Sequence, residues 1–285
     1  MTAREPAEIA VVAAETGTKK ATRSAPHVLV SAFLAGAYIA FGGLVAIAVS
    51  SGMDPKTWGT LPTLFTGAAF ALGLVLVIIA GSDLATGNMM LVPFSAMRRR
   101  IGGRAVVVNL LLVLLGNLIG AAFVAYFLAD QAAVIGHAGA PGPAGLMYER
   151  LASIAQGKVT HTPWQTFLRG VGCNWLVCLA VWMSLAARSV SGKILAIFFP
   201  IMAFVAMGFD HVVANMFFLP AAIWVGVPGI DWGNTLENWL LAGFGNLVGA
   251  VLFVSTGYWY LFLKDTPETA GAAAEERTAE SAERA

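Results

Sequence analysis

Apolar residues run almost without interruption over positions 28–50, 60–81, 105–128, 166–187, 194–209 and 239–263. Each run is near the roughly 20 residues whose helix spans the hydrocarbon of a bilayer. The pattern predicts six crossings. Segments 59–97 and 194–227 are longer than one span needs and hold only Asp83, Asp210 and His211 as ionisable groups. Each is therefore predicted as two half-helices joined inside the membrane, which leaves three crossings in each half of the chain.

The two interrupted segments match one another. Gly81-x-Asp83, Asn88-Met89 and Pro93 recur as Gly208-x-Asp210, Asn215-Met216 and Pro220, all at one offset. A second pair follows, Gly116-Asn117-Leu118-Ile119-Gly120-Ala121 and Gly245-Asn246-Leu247-Val248-Gly249-Ala250. The repeated unit is thus a whole half of the protein. An odd number of crossings per unit places the copies in opposite orientations, and such inverted repeats with broken helices build solute sites near the bilayer midplane. The reading is an all-α integral membrane protein with a 3+3 inverted repeat and broken second and fifth helices.

Composition narrows the class further. With 58% hydrophobic and 12% charged residues, too little polar surface exists for a soluble globule of 285 residues. Six crossings put every Lys and Arg on one side except Lys56, Arg150, Lys158 and Arg169, so both termini are expected to be cytoplasmic. Three regions follow: a cytoplasmic segment over 1–27, carrying a short helix near 7–14; a channel domain over 28–264; and a tail over 265–285 without an apolar face, expected to be disordered. A net charge of +1 with no basic, aromatic-interleaved stripe gives no sign of nucleic-acid binding.

Few residues could carry chemistry. His211 is the only histidine in a predicted span. It is either a neutral imidazole bonded to a carbonyl freed by the helix break or a donor of a proton or hydrogen bond to a passing anion. Asp83 and Asp210 stand where half-helices begin and are expected as N-caps, leaving the other first-turn N–H groups for the lumen. Thr86 places a hydroxyl at the first break and Asn174 an amide on the fourth span; alone, either is expected to bond a neighbouring helix. Lys158 falls in the connection between spans three and four, just after an amphipathic stretch over 146–156. Cys173 and Cys178 read as packing residues, and neither metal nor cofactor is expected. The Gly-rich runs after 116 and 245 suit close helix packing.

Together these stretches resemble the formate/nitrite transporter family over nearly all of 28–263. The resemblance is carried by Ala80-Gly81-Ser82-Asp83-Leu84-Ala85-Thr86-Gly87, by Cys173-Asn174-Trp175 running to Met183, and by Gly208-Phe209-Asp210-His211 running to Met216. It implies an aquaporin-like fold, a homo-pentamer in the cell membrane, and a pore in each subunit for small monovalent anions such as formate, nitrite or hydrosulfide, with protons as possible co-substrates. It also assigns His211 as the central histidine, Thr86 as the threonine of the first break, Asn174 as the pore asparagine, Lys158 as the vestibule lysine, and Phe70, Leu74, Leu84 and Phe204 as constriction positions. Two departures stand out: Ala85 where formate-type members carry Phe, and Asp210 in place of Glu. Residues 76–83, 172–175 and 257–260 look most like nitrite channels. The competing readings are a neutral-solute pore, which lacks the Asn-Pro-Ala signature, and a membrane subunit of a redox enzyme, for which one intramembrane histidine cannot supply paired haem ligands.

Overall fold

The computed structural model describes residues 3–266, and helices dominate it. The expected disordered tail lies outside the described residues, apart from Asp265 and Thr266. In chain order the helices are α1 (Pro6–Ala21), α2 (Ala25–Ser50), α3 (Pro55–Trp58), α4 (Leu61–Ala80), α5 (Ala85–Met97), α6 (Gly103–Phe123), α7 (Gly142–Val159), α8 (Pro163–Ala186), α9 (Val190–Ala206), α10 (Val212–Trp224), α11 (Trp232–Val248) and α12 (Gly257–Phe262). The helix α6 continues as a π-helical stretch over Val124–Gln131, and α11 does the same over Gly249–Thr256.

Among the described residues, five stretches are long and apolar enough to cross a membrane: α2, α4, α6 with its extension, α8, and the continuous run from α11 to α12. The helices α9 and α10, at 17 and 13 residues, are shorter than a full span, and α5 likewise has 13. The predicted second crossing is thus α4 plus α5, and the fifth is α9 plus α10. Each break follows a glycine in the left-handed region, Gly81 at φ 81° and Gly208 at φ 68°. A side chain there would meet its own carbonyl, so only glycine turns the chain at no steric cost.

Contacts repeat in both halves. The helix α2 packs on α4 and α6, as α8 packs on α9 and α11. Close approach depends on the paired glycines: a Cβ on Gly120 would strike the Phe33 carbonyl, and one on Gly249 the Val171 carbonyl. The sequence-level expectation of tight small-residue packing is met within one subunit.

The repeat also extends further than the apolar runs. The N-terminal helix expected near 7–14 is longer, Pro6–Ala21, and lies on α5. In the second half α7 lies on α10. Each unit is therefore an amphipathic helix followed by the membrane elements. Hydropathy windows miss α1 because the apolar residues it buries, Ile9, Ala10, Ala13 and Ala14, occupy one face only of a short helix.

Candidate solute pathway

The two helix breaks meet in the middle of the molecule and are stitched by asparagines from α6 and α11. Asn117 accepts the Ala85 N–H at 2.8 Å and donates to the carbonyls of Asp83 and Ala32. Asn246 accepts the Val212 N–H at 2.9 Å and donates to the carbonyls of Asp210 and Gly170. Each amide satisfies an orphan group on both sides of a break, which a buried irregular segment requires.

This stitching corrects the expected role of Asp83 and Asp210. Neither caps its half-helix: the N-cap residues are Leu84, which has no capping side chain, and His211. The aspartates precede the caps by one residue, and their carboxylates are drawn to cations instead. Asp83 receives Lys20 Nζ and Arg23 Nη1. Asp210 receives Lys158 Nζ at 3.1 Å and Asn215 Nδ2 at 2.9 Å, with Arg169 Nε 3.8 Å from its other oxygen. Asn109 and Asn238 complete the pairing, donating to the backbone carbonyls of Lys20 and Lys158 respectively. Lys20 is thus the counterpart of Lys158 in the other half. The Asn88 and Asn215 repeat was its sequence signal, because both contact these asparagines.

His211 does what neither sequence reading anticipated. Its Nδ1 accepts the Ala214 N–H at 3.0 Å, so the imidazole itself caps α10. With Nδ1 an acceptor, the ring hydrogen sits on Nε2, 2.8 Å from Thr86 Oγ1. One contact therefore joins the two breaks across the centre, and Thr86 accepts it while keeping its own hydroxyl hydrogen. Asn174 stands behind this pair. It donates to the Thr86 carbonyl at 3.2 Å and the Asn246 carbonyl at 2.8 Å, so both amide hydrogens brace the backbone.

A cavity of about 230 Å³ opens on this centre, and Lys158, Phe70, Phe204 and His211 line it. The Phe70 and Phe204 rings meet edge to face at 5.9 Å, and Phe204 lies 6.0 Å from the His211 ring. Lys158 also sits 5.8 Å over Phe218. Arg150, His161 and Arg169 share the cavity wall. Burial, together with Arg169, pushes the His161 imidazole below the usual histidine range, so it adds no positive charge at neutral pH. Leu74, Leu84, Thr86 and Asn174 do not line this cavity. Leu74 is buried one turn beyond Phe70, and Leu84 is buried at the first break. Cys173 and Cys178 are buried free thiols.

The formate/nitrite transporter model matches residues 7–260, from α1 into α12. The chain belongs to that family. A probable formate transporter from Methanothermobacter thermautotrophicus is 44% identical over 273 residues, covering 92% of this chain and 98% of its own. Among solved structures, an FNT family ion channel superposes with a TM-score of 0.81 at 30% identity, covering 89% of this chain and 98% of that one. A pentameric formate channel with formate bound gives 0.73 at 29% identity, covering 84% and 98%. Formate/nitrite transporters are channels and transporters, not enzymes, which sets aside the redox-subunit reading.

Proposed function

We propose that the chain conducts small monovalent oxyanions, formate or nitrite, through a pore in each subunit of a homo-pentamer in the cell membrane, with both termini cytoplasmic. The observation that carries this reading is the set of groups gathered at one cavity: cationic side chains, the Phe70–Phe204 pair and His211 in its wall, with His211 bonded in turn to Thr86. A neutral solute has no use for the first of these.

Stripping water from an anion costs of the order of tens of kcal/mol in an apolar medium, so something must replace the hydration shell. Lys158, Arg169 and Arg150 raise the anion's concentration at the mouth. Beyond the phenylalanines, the Thr86 hydroxyl and the half-helix N-termini supply oriented hydrogen-bond donors. The first-turn N–H groups already taken are those of Ala85, Val212 and Ala214. Those of Thr86, Gly87 and Val213 are left for the lumen.

His211 acts in this scheme as a fixed hydrogen-bond donor. Passing its single Nε2 hydrogen through Thr86 to an anion would leave an imidazolate, and loading a second proton on Nδ1 would set it against the Ala214 N–H. The geometry therefore supports hydrogen bonding over proton delivery. The test is flux into proteoliposomes of formate, nitrite, hydrosulfide and chloride, side by side at neutral and acid pH. Formate and nitrite are expected to pass well ahead of chloride; equal passage of all four, or of none, overturns the assignment.

A further inference from the structure

Three cations face the vestibule, and two of them are already engaged. Lys158 and Arg169 both sit on the buried carboxylate of Asp210, at 3.1 Å and 3.8 Å. Arg169 is further committed to the Gly208 carbonyl through Nε and Nη2. Arg150, on α7, has no carboxylate partner among the described residues.

Its guanidinium is nevertheless fixed. Nε donates to Ser50 Oγ on α2 at 2.8 Å, and Nη2 donates to Thr66 Oγ1 on α4 at 2.8 Å. Each hydroxyl is itself oriented, because Ser50 donates to the Ala46 carbonyl and Thr66 to the Pro62 carbonyl. Their lone pairs are thereby turned towards the arginine. Both hydroxyl residues are buried, at 1% and 7% exposure. Two bonds on one edge of the planar group lock it and leave the Nη1 hydrogens and the second Nη2 hydrogen, which together form another edge, without a protein acceptor among the described residues. A carboxylate or nitrite presents two oxygens that match a pair of guanidinium N–H groups, which a spherical anion does not.

Resting on the oxyanion-channel reading above, we propose that Arg150 is a specificity residue of the vestibule, reading the paired oxygens of a planar monovalent oxyanion before it meets Phe70 and Phe204. The unengaged donors, the absence of a carboxylate partner and the shared cavity wall all point the same way. The role belongs to one mouth only. With α1 aligned on α7 through Lys20 and Lys158, the position matching Arg150 is Val12.

The test uses the full-length protein in proteoliposomes, comparing wild type with Arg150→Lys and Thr66→Val. Lysine keeps the charge and loses the fork; valine keeps the arginine and releases half its bracket. Arg150→Lys is expected to raise the half-saturating concentration for formate and nitrite about five- to tenfold, the size of one ordinary hydrogen bond, since lysine still offers one donor, with chloride or bromide leak unchanged. Thr66→Val should give a smaller shift of the same kind. A bracing role alone would lower flux of every anion alike, or reduce the yield of assembled protein, and either result overturns the proposal. If wild type passes neither formate nor nitrite, the oxyanion reading fails instead. If it passes both and Arg150→Lys keeps the wild-type ratio of oxyanion to halide, only the role of Arg150 fails.

Discussion

At the scale of single residues, the decisive fact is which nitrogen of His211 is occupied. Nδ1 caps α10 and Nε2 reaches Thr86, so both are committed within the protein. Asparagine is among the best N-cap residues, and His211→Asn keeps an acceptor for the Ala214 N–H while losing any capacity to titrate. The variant is expected to fold, to carry less anion, and to keep the wild-type pH profile of flux; a flattened profile would restore proton delivery. Lys20 is the second residue-scale test. Lys20→Gln leaves the buried Asp83 carboxylate to Arg23 alone, and the about 3–5 kcal/mol lost when a buried charge is left fully uncompensated is the upper bound on the cost. Thermal unfolding of the detergent-solubilised protein should show a drop in Tm, and adding Asp83→Asn should recover much of it. An unchanged Tm in the single variant would mean the pair contributes little.

At the scale of elements, the breaks are held by side chains from helices remote in sequence. Asn117→Leu and Asn246→Leu each orphan one buried backbone N–H and one carbonyl of a break, and remove a second bond from a helical carbonyl, Ala32 or Gly170. At roughly 1–3 kcal/mol per orphaned group, each variant should unfold well below wild type, and the two should lose similar amounts because the halves use the same bonds. A loss in one half only would contradict that equivalence.

Much of this was legible beforehand. Apolar run lengths gave the spans, and the repeated Gly, Asp, Asn and Pro gave both breaks at their observed positions. Cap assignment failed because a one-residue shift, from Asp210 to His211, is decided by tertiary partners: Lys158 and Asn215 draw the carboxylate away. Lys20 and Arg150 were passed over for a related reason. A lysine in a polar N-terminal stretch and an arginine on an amphipathic helix look like solvated charge until the fold places them against Asp83 and against Ser50 and Thr66.

At the scale of the whole molecule, the vestibule carries more positive than negative charge, since Asp210 answers Lys158 and Arg169 together and Arg150 goes unanswered. Flux at low anion concentration should therefore fall as ionic strength rises past the point where the Debye length is about 10 Å. Lys158→Gln should reduce flux most at low salt, because Asp210 then faces the mouth with less compensation. Equal losses at every salt concentration would show that attraction over a distance is not what Lys158 contributes.

The twin lysine–aspartate–asparagine clusters at the two breaks bear on bookkeeping of a different kind, that of time reversal. A ratchet needs an entrance and an exit that differ in kind, and here the repeated frame supplies the same cluster to travellers from either compartment. His211 against Leu84, Thr86 against Val213 and Arg150 against Val12 are among the differences that tell one side from the other. Those differences can tune how readily a solute is accepted from each face. On the proposed oxyanion-pore reading, with His211 a fixed donor, net traffic through such a frame is expected to run whichever way the concentrations and the membrane voltage lean.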